Sequence, residues 1–182
     1  MRNAIIALFC TITLRAAPLQ LTLGPPVMVA PEGAREGPSW NPFTQTLYMV
    51  SGGNVNRYQP GGKVEPFRTD APGANGSLID PEGRVLVCEA GGRRVTRTEK
   101  DGTLTVLAAE FEGKKFNSPN DLTLDAKGRI YFTDPRYGSR DSMELREEAV
   151  YRIDAPGKVA RVLGQPELER PNGILISPDG RH

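Results

Sequence analysis

Four stretches of the chain repeat one pattern, and the repeat limits what the chain can fold into. They are Glu36 to Trp40, Asn75 to Arg84, Asn120 to Arg129 and Asn172 to Arg181. Each opens on an oxygen-bearing side chain and runs into alternating apolar residues. In the last three a turn follows, Pro-Glu-Gly, Ala-Lys-Gly or Pro-Asp-Gly, with Arg after it. The openers recur at intervals of 39, 45 and 52 positions. A period of that size marks a radial or solenoidal array, and the common radial β repeat is the propeller blade. The reading is therefore all-β, with the four openers in equivalent places of successive blades.

Further turns lie between the openers, at Gln59 to Lys63, Glu99 to Thr103 and Asp154 to Lys158. Gly in each supplies the positive φ of a tight hairpin. Arg94 to Thr98 and Leu104 to Ala108 then pair as strands, as do Val150 to Asp154 and Val159 to Leu163. Each unit reads as inner strand, turn, second strand, loop, third strand, hairpin, fourth strand, which is the meander of a four-stranded blade. A β-sandwich also has short regular strands, but nothing in it demands the same opener and turn in every unit. After the last Pro-Asp-Gly turn the second strand does not arrive, and a closed ring of blades needs more chain than is present. The expectation is a truncated part of a β-propeller, about three blades long.

The first residues differ in kind. Met1-Arg2-Asn3 is a short positive region, Ala4 to Leu14 is uncharged and mostly apolar, and Arg15-Ala16-Ala17 offers small residues for cleavage. Residues 1–17 are expected to be a secretory signal peptide, which makes 18–182 the propeller domain and puts the protein in the periplasm or outside the cell. The run is too short for a permanent span. The alternative is an ordinary apolar first strand in a cytoplasmic protein. Removal of the leader takes Cys10 with it and leaves Cys88 unpaired, expected as a small buried apolar residue of the strand Val85 to Glu89.

Strand direction alternates in a meander, so the loop entering the first strand and the loop after the second emerge on one face. Glu36, Asn75, Asn120 and Asn172 are therefore expected around the mouth of the central channel, with Ser51, Glu89 and Asp134 just outside them. One carboxylate among amide oxygens is a hard donor set that suits calcium, or magnesium or manganese with water retained. The single His is residue 182, so a Cys/His zinc site is excluded. With 23 basic and 22 acidic side chains, the chain lacks the field that a nucleic-acid partner requires. Trp40 reads as packing between blades. The long loop Pro135 to Ala149 borders the mouth and reads as a lid or specificity loop, or as plain solvated charge.

Three blocks in order carry a resemblance: Glu-Gly-Pro-x-Trp at Glu36 to Trp40, Ser118 to Leu122 running into Gly128 to Gly138, and Arg170 to Gly180. From about Gly33 onward the chain resembles the gluconolactonase and regucalcin (senescence marker protein) family. The resemblance implies a six-bladed propeller with one axial divalent cation, usually calcium, and hydrolysis of sugar lactones or related esters. It implies Glu36 and Asn172 as metal ligands, and Asn120 as a substrate contact that in some relatives also binds the metal. A further Asp, ligand and base, is expected from a later blade. Regucalcin-like members carry an Arg at the place of Ser118 to hold sugar hydroxyls, so Ser118 is a substrate-side position whose identity bears on specificity.

Such chemistry suits these residue types. A calcium ion polarises a lactone carbonyl, and amides such as Asn75 and Asn120 orient substrate without neutralising the ion's field. The expected partner is a small lactone or ester. The rival is a non-catalytic binding propeller with a structural ion, and a strictosidine-synthase-like or paraoxonase-like relative shares the same architecture.

Overall fold

The structure, a computed structural model, describes residues 35–182 together with Pro25 and Gly33. The expected leader, residues 1–17, and Cys10 lie outside the described residues.

Strands come in meanders of four. β1 (Glu36–Asn41), β2 (Thr46–Ser51), β3 (Asn54–Tyr58) and β4 (Val64–Arg68) form the first antiparallel sheet in chain order. β5 (Ala74–Ile79), β6 (Val85–Glu89), β7 (Arg94–Thr98) and β8 (Leu104–Ala108) form the second. A small ribbon, β9 (Glu110–Phe111) with β10 (Lys114–Lys115), precedes the third sheet. That sheet is β11 (Leu122–Leu124), β12 (Ile130–Asp134), β13 (Ala149–Ala155) and β14 (Lys158–Gly164). These are propeller blades. Among the described residues there is no helix, and so none long and apolar enough to cross a membrane.

β6 shows why the sheets stack. All five of its residues are buried. Val85 and Val87 enter one apolar cluster with Tyr48, Val50, Val55 and Ala71 of the first sheet and the loop after it. Leu86 and Cys88 enter the other, with Phe116, Phe132 and Tyr151 toward the third sheet. Successive side chains of a strand point to opposite faces, so a strand covered on both sides is apolar throughout. Each fully buried Val or Leu here is worth about 1.5–3 kcal/mol. Cys88 is free and buried, the apolar role expected of it. Phe116 and Phe132 meet edge to face at 5.0 Å.

The inner strands approach closely around the axis. In β1 the register shifts between Glu36 and Ser39, and in β5 between Ala74 and Ser77, so a bulge sits at each opener. Bulges re-aim side chains and bend a strand, here at the channel mouth. Ser39 and Ser77 share a hydroxyl hydrogen bond of 2.8 Å, the Ser77 hydroxyl also lies 2.5 Å from the Gly37 carbonyl, and Gly76 N–H donates to Asn120 O at 2.7 Å. A Cβ on Gly76 would lie 2.7 Å from Asn120 O and 2.8 Å from Asp121 Cα, closer than real contacts allow. The Gly after the opener is thus a requirement of inter-sheet approach. Gly76→Ala is expected to cost about 1–3 kcal/mol by overpacking, read as a lower urea midpoint. Gly138→Ala, with open space around its Cβ, is the control and should change little.

Two sequence expectations are corrected. Residues 171–177 run without strand pairing among the described residues, although their pattern is that of an inner strand. A strand exists only against a hydrogen-bonded neighbour, and this segment instead touches the third sheet through isolated bonds described below. Trp40 is 47% exposed on a shallow apolar depression shared with Phe43 and with Leu78 of the next sheet, so it borders the seam between blades and is not enclosed in it.

Candidate active site

The four openers meet. Glu36, Asn75, Asn120 and Asn172 line one pocket of about 290 Å³, with Gly37, Gly76 and Ser77 in its wall. Each comes from a different unit; bulges sit at Glu36 and Asn75, and Gly76 lets the second unit approach the backbone of Asn120. Ser51, Glu89 and Asp134 end β2, β6 and β12, the loop positions expected of them.

The pocket holds one further acid that the repeat pattern concealed. Asp121 stands where the other units carry Gly37, Gly76 and Gly173, and it lines the same pocket. Its Oδ2 accepts from Ile174 N–H at 3.1 Å. The only sequence signal was the odd residue out in an otherwise glycine-bearing column.

Asn120 is 6% exposed, and its Oδ1 has no hydrogen-bond partner among the described residues. A buried amide oxygen left unpaired costs its desolvation, so it asks for a water, a ligand or an ion. Among the described residues no three His, Cys, Asp or Glu side chains cluster as an ion site. The donor set is two carboxylates and three amides, oxygen throughout, and this chemistry fits a hard divalent cation.

Ser118 does not line the pocket. Its N–H donates to Asp134 Oδ1 at 2.6 Å, its hydroxyl donates to Asn117 O, and Arg136 Nη1 donates to that hydroxyl at 3.2 Å.

A family model described as the SMP-30/Gluconolactonase/LRE-like region matches residues 34–182. The chain belongs to this family. It is 34% identical over 130 residues to a gluconolactonase of Zymomonas mobilis, which is 66% of this chain and 36% of that protein. It is 38% identical over 90 residues to an L-arabinolactonase of Azospirillum brasilense, covering 46% of this chain and 29% of the other. Among solved structures, a gluconolactonase from Xanthomonas campestris superimposes with a TM-score of 0.71 at 34% identity, covering 80% of this chain and 52% of that one. The chain therefore spans about half or less of the length of these relatives.

In this gluconolactonase-family chain, two buried acids organise the rim behind the pocket. Asp134 accepts from the backbone N–H of Asn117 and Ser118, at 2.8 and 2.6 Å, which holds the turn leading into Asn120. Burial pushes its carboxyl up to about 7, against the pull of those two N–H groups and of Arg93. Glu148, fully buried, accepts from Arg136 N–H at 2.8 Å, from Arg140 Nη2 at 3.1 Å and from Arg170 N–H at 3.1 Å. Burial works to raise it, but those donors outweigh burial and hold it below the usual carboxylate range. The loop between β12 and β13, Pro135 to Glu148, is thereby tied on one side to Ser118 and on the other to the segment bearing Asn172. Tyr137 OH adds a bond to Arg170 O at 3.3 Å.

Proposed function

We propose that the chain is the part of a divalent-cation-dependent lactone hydrolase that carries most of the axial site, with calcium the favoured ion and magnesium or manganese as alternatives. The observation that carries this reading is the meeting of four openers from four units around a buried, unpartnered Asn120 Oδ1. Glu36, Asn120 and Asn172 would hold the ion. When bound, the ion supplies Lewis acidity to an ester carbonyl and a counter-charge for the oxyanion formed as water adds. Glu36 brings a full negative charge to the ligand set and so much of the affinity.

Asn75 lines the same pocket and orients ring hydroxyls by hydrogen bonding, and neutral amides do so without quenching the positive charge of the site. Ser118, engaged with Arg136 and Asp134, belongs to the rim and bears on which lactone is accepted. The similarity to a gluconolactonase and an L-arabinolactonase supports sugar lactones as the substrate class. The resemblance implies an Asp of a further blade as the base that takes a proton from water. The leader reading of residues 1–17 supports a periplasmic or extracellular setting.

Glu36→Gln in the full chain is expected to weaken calcium binding at least tenfold, about 1.4 kcal/mol or more. Isothermal calorimetry with calcium chloride checks it, and an unchanged affinity overturns the axial-site reading.

A binding propeller with a structural ion is the second reading. In its favour, two acids line the pocket among the described residues, and Asp121 is already engaged by Ile174 N–H. Release of acid from a sugar lactone, with and without chelator, separates the two. Chelator-sensitive turnover supports the hydrolase, and calcium binding without turnover in a closed propeller supports the scaffold.

A further inference from the structure

The third and fourth units are joined through one hydroxyl and one carboxylate. The second and third inner segments meet backbone to backbone, through Gly76 N–H to Asn120 O, and the first and second through the Ser77 hydroxyl at Gly37 O. Between Asn120 and Asn172 the contact runs through side chains. Thr133, at the penultimate position of β12 and 1% exposed, accepts from Asp121 N–H at 3.1 Å on its hydroxyl. The same hydroxyl donates to Asn172 O at 2.7 Å. Its backbone completes the hold, with Asn120 N–H donating to Thr133 O at 2.9 Å and Thr133 N–H to Asp121 O at 3.0 Å. Two positions past Asn172, Ile174 N–H donates to Asp121 Oδ2 at 3.1 Å.

A hydroxyl offers one proton and two lone pairs, so Thr133 can serve as acceptor for one unit and donor for the next at once. Asp121 has the complementary arrangement, with its N–H given to Thr133 and its carboxylate receiving Ile174. Both are therefore shared between the element that carries Asn120 and the segment that carries Asn172.

We infer that Thr133 and Asp121 act as positioning residues, a two-point clasp that sets the separation of the Asn120 and Asn172 amides across the pocket. The segment 171–177 lacks strand pairing, so these bonds fix its place where the other inner strands rely on a ladder. The inference rests on the proposed ion site for its functional meaning. Its structural content stands without the ion.

Thr133→Val keeps the shape and removes the hydroxyl, and Thr133→Ser keeps the hydroxyl. In the full chain, amide exchange at Ile174 is expected to quicken about tenfold in Thr133→Val, while exchange across Val85–Glu89 stays within about twofold. Calcium affinity, titrated with calcium chloride, is expected to fall about fivefold, as a buried hydrogen bond of roughly 1 kcal/mol implies. Thr133→Ser should restore both. Unchanged Ile174 exchange in Thr133→Val, or equal losses in the Ser variant, overturns the clasp. Fast Ile174 exchange with unaltered calcium affinity overturns its positioning role.

Should Thr133→Val fail to fold, Asp121→Ala removes the other point of attachment, and it must show the same local exchange signature or the inference falls. Should the unsubstituted chain bind no calcium, the ion reading fails by itself, and the exchange measurements still decide whether the clasp exists.

Discussion

Glu89→Ala is expected to destabilise the chain by about 3–5 kcal/mol, because it strips the buried Arg68 of its close counter-charge and leaves it only the exposed Asp70 at 3.7 Å. Glu89 is fully buried at the end of β6 and receives Arg94 Nε at 2.7 Å and the Thr96 hydroxyl at 2.7 Å. The oxygen that receives the Thr96 hydroxyl also pairs with Arg68, which reaches over from β4 of the first sheet. The Arg68 side chain is only 9% exposed, so it cannot turn to water when its partner goes. The acid and the two guanidinium groups thus fasten the first two sheets at the mouth end. Urea unfolding at constant slope checks the loss, and a change below about 1 kcal/mol would deny the pair that role. Replacing both buried members, with Arg68→Met and Glu89→Leu, is expected to cost less than Glu89→Ala alone, since no charge is stranded. The exposed pair of Arg57 and Glu65 at 3.2 Å is the reference, and breaking it should change stability by about 1 kcal/mol or less.

Asp134 should give the chain a stability that depends on pH between about 4 and 7. Burial raises its carboxyl in the folded state to about 7, from an ordinary value of 3.8. An acid with a raised folded value binds its proton more tightly when folded. Its contribution is therefore most favourable below pH 4, declines as pH rises through the window, and levels off above 7. A shift of that size corresponds to about 4 kcal/mol between the two ends. Other acids, Glu99, Asp125 and Glu148 among them, are held low by their partners and act in the opposite direction. The measurement is accordingly a difference. Asp134→Asn, which cannot ionise, should gain stability relative to the unsubstituted chain as pH rises from 4 to 7. A flat difference across that window would mean that the Asn117 and Ser118 amides keep the carboxylate ionised at little cost.

The blades were legible because their turns are chemical and local. Asp101-Gly102 and Pro156-Gly157 mark hairpins by themselves, and the pairing of Arg94–Thr98 with Leu104–Ala108 is the one the sequence predicts. The openers were legible because repetition converts a weak residue into an equivalent place, and Glu36, Asn75, Asn120 and Asn172 do share a pocket. What escaped depends on neighbours far away in the chain. The ribbon at Glu110–Phe111 and Lys114–Lys115 has strands of two residues, too short for any periodicity. Asp121 enters the pocket through the approach of one inner strand to the next, which no window of sequence contains. Nothing local marks the purpose of the Gly that follows Glu36, Asn75 and Asn172, and at Gly76 it makes room for the backbone of Asn120 and Asp121. Ser118 was a substrate-side position only through the family resemblance, and no local pattern foretold that the buried Asp134 would hold its backbone N–H at the rim.

The hairpin at Lys100 and Asp101 is exposed, and a Cβ on its Gly102 would touch nothing within 4 Å. It joins the two outer strands of its sheet, β7 and β8, with β6 between them and the strand that carries Asn75. An epitope tag or fluorophore grafted there should report on the protein without disturbing ligand capture, so this is the natural attachment point for single-molecule or immobilised assays.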